Sequence, residues 1–231
     1  MRAPLDERLS LIFANPEARA ILETLYAIDA EIASIVRPGV DHGVAHAKLA
    51  WWRDEAERLA TGRPVHPLAR ALHSRAGPKP RYRLLAERVD AAELSLVGVV
   101  PATEAELAQY LARSHGSLQV LAAEALAGAP HEALERFGRA LGAGLGRLAA
   151  LSMPGAPLIG TLPRAPPEAA RALDDACAAL PVTMRARQAH GLVRAALAAA
   201  SLRRLASDAQ PPSPIVKLLV AWRAARRAQA E

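Results

Sequence analysis

The chain has 231 residues, 52% apolar and 23% charged, which are the proportions of a packed globular protein and exclude a disordered one. Its net charge of +6 is carried mostly by arginines interleaved with acids, and only 3% of its residues are aromatic. With so little for bases to stack on, nucleic acid is not expected as a partner.

Sparse β-branched residues beside abundant Ala and Leu favour an all-α fold. A lone cysteine, Cys177, rules out an intrachain disulfide and suits a reducing compartment. The opening MRAPLDERLS carries Asp6 and Glu7 and no apolar run, so it does not read as a secretory leader. No apolar run reaches membrane-span length, and even Leu192–Leu202 is interrupted by Arg194. A cytoplasmic location, with peripheral contact at a membrane as a further expectation, follows from these features.

Asn15-Pro16-Glu17 supplies an N-cap, a proline at the first helical position and an acid in the first turn. A long helix should run from there to about Arg37, with Ile21, Leu22, Leu25, Ile28, Ile32 and Ile35 on one face, before Pro38-Gly39. Further helices are expected over Asp41–Ala60, from Pro67 to just before Gly77-Pro78, and over Arg81–Leu96. Thr103 and Glu106 form a capping-box pattern opening a helix that lasts until Gly128-Ala129-Pro130. The next spans Pro130–Leu151. A Pro- and Gly-rich surface loop covers 152–167, and helices follow over Glu168–Leu180, Thr183–Ala206 and Ser213–Gln229. Successive helices with short loops and one apolar face each imply a single helical bundle over residues 1–231.

Three segments carry a resemblance. Leu25-Tyr26-Ala27-Ile28 is one. Leu49-Ala50-Trp51-Trp52-Arg53-Asp54, followed by Gly62-Arg63-Pro64-Val65-His66-Pro67-Leu68-Ala69-Arg70-Ala71-Leu72, is the second and more specific. Gln109-Tyr110-Leu111-Ala112-Arg113 is the third. In order and spacing these resemble the squalene/phytoene synthase family, mainly over residues 12 to 127. The resemblance implies an isoprenoid-synthase-type bundle around a central cavity. Active members join two prenyl diphosphates, and two D-x-x-x-D clusters on facing helices hold the Mg²⁺ that neutralises the leaving diphosphate.

Both clusters are missing. The first should fall near Ala33, Ser34 and Arg37; Asp29 and Glu31 lie earlier and are two apart, so they point to different faces. The second should follow Phe137-Gly138-Arg139-Ala140-Leu141-Gly142, where the chain reads Ala143-Gly144-Leu145-Gly146-Arg147-Leu148-Ala149-Ala150. No Asp or Glu occurs from Arg136 through Pro167. Asp174-Asp175 is adjacent rather than i, i+4. In this the chain looks more like a divergent branch of the family, which includes a complex I assembly factor and relatives without these aspartates.

Tyr26, Asp29, Trp52, Arg53 and Tyr110 are the candidates for lining a cavity or touching a ligand, with no catalytic or metal-binding residue assigned. Each also has a plainer account: Tyr26 and Tyr110 as core tyrosines with satisfied hydroxyls, one of Trp51 and Trp52 as core, and Arg53 as an ion-pair partner within the bundle. Asp41, His42 and His46 read as a helix start rather than a metal group, His66 as a turn or cap residue, and Gly142–Gly146 as close helix packing rather than a phosphate loop. The last helix pairs Ile215, Val216, Leu218, Leu219 and Trp222 with Lys217, Arg223, Arg226 and Arg227. Its apolar stripe is expected on the bundle, with peripheral membrane contact as the other reading.

Two functions stand against each other: a prenyl-lipid-binding or assembly-type protein without cofactor or chemistry, and an active prenyl-diphosphate transferase that uses Mg²⁺ through displaced carboxylates.

Overall fold

Helix formation follows the signals in the chain. The computed structural model describes residues 5–152, 166–207 and 210–230. Helix α2 (Pro16–Ile35) begins where the Asn15 side chain accepts a hydrogen bond from the Ala18 amide at 2.8 Å, and it buries Ile21, Leu22, Leu25, Ile28, Ile32 and Ile35. Asp41 caps α3 (His42–Ala60) and His66 caps α4 (Pro67–Ala76) in the same way. α5 is Leu84–Leu96 and α6 Glu104–Leu111. At α6 the Thr103 hydroxyl accepts from the Glu106 amide, while the Glu106 carboxylate reaches the Ala102 amide.

The expected continuous helix from Thr103 to Gly128 is in fact three pieces. α6 leads into a π-helical turn, Ala112–Gly116, and then α7 (Ser117–Ala127), which stops at Gly128 with φ 78°. A first helix not anticipated from the sequence, α1, covers Leu5–Ile12. α8 is Glu132–Ser152 and α9 Pro166–Ala178. The helix expected over Thr183–Ala206 is broken into α10 (Val182–Arg185) and α11 (Ala189–Ala206). α12 is Pro214–Ala230. The loop expected over 152–167 falls almost wholly outside the described residues.

The result is the expected all-α bundle of isoprenoid-synthase type. α7 lies at its middle, buried along Ser117–Ala125, the polar Gln119 and Glu124 included. It joins an N-terminal core built on α2 to α5 with a C-terminal core built on α8, α9 and α11. α1 and α12 close over α11 through Leu9, Val193, Leu197, Ala221 and Ala225. The expectation for the last helix is reversed. α12 turns Ala221, Ala225 and Ala228 inward and leaves Ile215, Leu218, Leu219 and Trp222 exposed.

Candidate functional site

Tyr26 and Asp29 lie one turn apart on α2 and meet charged side chains from four other elements. The Tyr26 hydroxyl is 2.7 Å from His190 Nε2 and 2.7 Å from Arg194 Nη1, and the Arg194 guanidinium sits 5.2 Å above the Tyr26 ring. His190 and Arg194 are i, i+4 on α11, so one helix face delivers both. Asp29 accepts from Arg88 Nε of α5 at 2.6 Å. Glu7 of α1 and His115 of the π turn complete the group through their charge interactions with Asp29 and Arg194.

Burial sets the protonation of this group. It drives His190 down to about 3, with the Arg194 charge acting in the same direction. The Ser10 backbone favours the charged ring and opposes the shift. His190 is therefore neutral at physiological pH, so the Tyr26 hydroxyl donates to Nε2 while its oxygen accepts from Arg194. Burial likewise raises the Tyr26 pKa, opposed by Arg194. Burial pushes His115 down to about 4, Arg88 adding to the effect and Asp29 opposing it. It raises Glu7, with Arg194 opposing. Two arginines facing two carboxylates leave the group close to charge balance, and His190 Nδ1 is buried without a hydrogen-bond partner.

α8 faces this interior with glycine. Gly138, Gly142 and Gly146 recur every fourth residue and form one side of the helix. A Cβ on Gly142 would stand 2.4 Å from the Cα and amide nitrogen of Gly116 in the π turn. One on Gly138 would stand 2.5 Å from the Val120 backbone, and one on Gly146 would meet Leu111 at 2.5 Å and His115 at 2.7 Å. At Gly138 and Gly142 the helix thus rests directly on the backbone of its neighbours, and at Gly146 on the side chains of Leu111 and His115.

The adjoining face of α8 lines a cleft of about 450 Å³ between α6, α8 and α9. Its walls are Ala140, Ala143, Gly144, Ala169 and Ala172, and its polar groups are Glu104, Arg147 and Glu168. Arg147 is ion-paired with Glu104. Burial lowers its pKa, and Glu168 favours its charged form. A volume of this order is in the range that takes a small lipid-like ligand.

The sequence model for squalene/phytoene synthases matches residues 8–152, well over half of the chain. The chain belongs to the squalene/phytoene synthase family. No curated protein and no solved structure matches it.

Within that family frame, the five ligand candidates fall into separate places. Tyr26 and Asp29 are together in the interior. Trp52 is buried in the N-terminal core against His66, with ring centroids 4.7 Å apart, while Trp51 is half-exposed beneath Arg58. Arg53 faces α5, where it bonds Asp90 at 2.6 Å and Glu93 at 2.7 Å. Tyr110 is half-buried, its hydroxyl 2.7 Å from that of Ser95. The acidic residues do not converge either: Asp29 pairs with Arg88, Glu31 with His66 at 3.3 Å, and Asp174 with Arg203. Among the described residues no three His, Cys, Asp or Glu side chains gather as a metal site, and no helix is long and apolar enough to cross a membrane.

Glu7, Arg88, His115, His190 and Arg194 were not singled out from the sequence as site residues. One signal was available: Arg194 interrupts an otherwise apolar helix, and a charge at a core position needs a buried partner. His115 had no such signal, because a π turn inside a helical pattern leaves no mark in the periodicity.

Proposed function

We propose that this protein keeps the shell of a squalene/phytoene synthase to hold a prenyl lipid, and does not ionise prenyl diphosphates. The observation that carries the reading is what stands at the two places where carboxylate pairs are expected. On α2 the nearest interior acid, Asp29, is engaged by Arg88 at 2.6 Å, with Arg194 close by. On α8 the equivalent stretch supplies glycines packed against the side chains of Leu173, Leu111 and His115, and the cation Arg147. Mg²⁺ takes oxygen ligands in near-octahedral geometry, and this donor set does not fit it.

The cleft between α6, α8 and α9 suits an apolar chain along its alanine walls, with Arg147, Glu104 and Glu168 at a polar group of the ligand. Such a role accords with the divergent, assembly-factor-type branch of the family, whose members also lack the aspartates. The other reading, a transferase with displaced carboxylates, draws support from Glu7 and Asp29, which are close enough to influence each other's charge.

Equilibrium dialysis of the purified protein with labelled farnesol and farnesyl diphosphate, with and without Mg²⁺, separates the two. Binding of both ligands with no response to Mg²⁺ is the expected result. Farnesyl diphosphate binding that requires Mg²⁺ would favour the transferase, and failure of both ligands to bind would refute the lipid assignment.

A further inference from the structure

Helix α12 is amphipathic the wrong way round for a helix that only completes a bundle. Its contact face is alanine: Ala221, Ala225 and Ala228 are buried against the α1 and α11 layer. These small residues bring the backbone close and leave the large apolar side chains pointing away. Ile215 is 73% exposed, Trp222 50%, and Leu218 and Leu219 about as much as Trp222. Ile215, Leu219, Trp222 and Arg226 follow each other at spacings of four, three and four residues, so they form one stripe along the outer face.

Charge is distributed along the same helix in a definite order. The apolar residues occupy its first half, and Arg223, Arg226 and Arg227 its second. Between 210 and 230 there is no acid. Lys217 is held by Asp6 of α1 at 2.7 Å, which ties α12 down. Among the described residues none of the three arginines has an ion-pair partner; the Arg226 guanidinium lies 5.5 Å over the Trp222 ring. A folded helix that is docked on its small side, with an apolar stripe outward and unpaired cations beside it, has the features of a helix lying in a lipid–water interface. Trp is favoured at that boundary because its ring is apolar and its N–H polar. Arginines beside it are complementary to lipid phosphates.

We infer that the outer face of α12 is a docking surface for an anionic lipid bilayer, with Ile215, Leu218, Leu219 and Trp222 entering the headgroup–acyl boundary and Arg223, Arg226 and Arg227 on the phosphates. The attachment is peripheral and reversible. It does not depend on the lipid assigned to the α6–α8–α9 cleft, and the two fail separately: one is read with vesicles, the other with soluble prenyl ligands.

Vesicle flotation tests it, using phosphatidylcholine alone and phosphatidylcholine with phosphatidylglycerol, at low and high salt. The protein is expected to float with the anionic vesicles at low salt, to be largely released at high salt, and to bind neutral vesicles weakly. Leu219→Ala with Trp222→Ala should weaken binding at least tenfold, since each removes a large apolar side chain from the boundary. Each Arg→Gln at 223, 226 or 227 should cost about fivefold on anionic vesicles and little on neutral ones. All of these side chains are exposed, so the variants should keep the wild-type circular dichroism and melting temperature. In the wild type, brominated lipids should quench Trp222 fluorescence, read against a Trp222→Phe control that removes only this contribution. No flotation with anionic vesicles, or flotation unchanged by the variants, would overturn the inference. So would a concentration-dependent dimer abolished by Leu219→Ala with Trp222→Ala, which would assign the face to a second copy of the chain.

Discussion

Placing a methyl group on Gly142 tests the packing on which the functional reading rests. The added Cβ would lie 2.4 Å from Gly116 Cα and N and 2.5 Å from the His115 carbonyl carbon. Carbon atoms in contact prefer about 3.5–4 Å, so α8 and the π turn must separate by about 1 Å. The obstructing atoms are backbone and cannot rotate away. Overpacking of this kind costs about 1–3 kcal/mol, and a value at the upper end is expected here. Replacing a helical glycine with alanine returns about 1 kcal/mol of helix propensity. The net loss for Gly142→Ala should therefore be about 2 kcal/mol, a fall of about 4–8 °C in Tm for a chain of this size. Gly144→Ala is the internal control. The atoms nearest its Cβ would all belong to the Leu173 side chain, Cδ1 at 2.6 Å, which unlike backbone can change rotamer, and the propensity gain offsets the crowding. That variant should melt within about 2 °C of the wild type. Thermal and urea denaturation followed by circular dichroism measure both. A Gly142→Ala protein as stable as the wild type would show that α8 does not rest on the π turn, and the argument that this face is already occupied would go with it.

Three further outcomes follow from the same structure. His190 and His115 are held neutral with pKa values near 3 and 4, below the unfolded value of about 6.5. Stability is thus full above pH 6.5 and falls as the unfolded state gains protons the folded state refuses, by about 2 kcal/mol per histidine on reaching pH 5. Urea midpoints at pH 7.5 and 5 measure it, and a midpoint flat over that window would refute the buried neutral histidines. Glu124 is fully buried and accepts from the Arg81 amide at 2.9 Å and from its guanidinium at 2.5 and 2.7 Å. Arg81→Ala should destabilise by about 3 kcal/mol through the stranded carboxylate, and Arg81→Ala with Glu124→Gln should recover part of that; a double variant no more stable than the single would refute the pairing. Ala143→Phe should fill the α6–α8–α9 cleft and abolish farnesol binding with little change in Tm; unchanged binding in dialysis would place the ligand elsewhere.

The elements most legible in the sequence were those with local signals. Asn15, Asp41, His66 and Thr103 all accept from the amides at the starts of their helices, because a capping side chain acts within three residues of itself. The apolar face of α2 was readable from spacing alone. The π turn at Ala112–Gly116 was not, since the sequence on both sides is an unbroken helical pattern and α8, which packs on Gly116, lies elsewhere in the chain. The orientation of α12 was misjudged for a related reason. Its large apolar residues suggested a core face, whereas the helix docks through alanines, and only the neighbouring helices decide which stripe turns inward. The tandem tryptophans read as one core residue and one half-buried, and the structure buries Trp52 and leaves Trp51 40% exposed. Tyr26 and Asp29 were legible as candidates through the family resemblance, but their partners come from four other elements far apart along the chain, and no local pattern joins Glu7 to Arg194.

Release of diphosphate is the most direct measurement. Purified protein incubated with farnesyl or geranylgeranyl diphosphate, and with Mg²⁺ or Mn²⁺ in excess, should liberate none above the uncatalysed background. Metal-dependent release with multiple turnovers, reduced by Glu7→Gln or Asp29→Asn, would contradict the account and make these two carboxylates the displaced metal ligands.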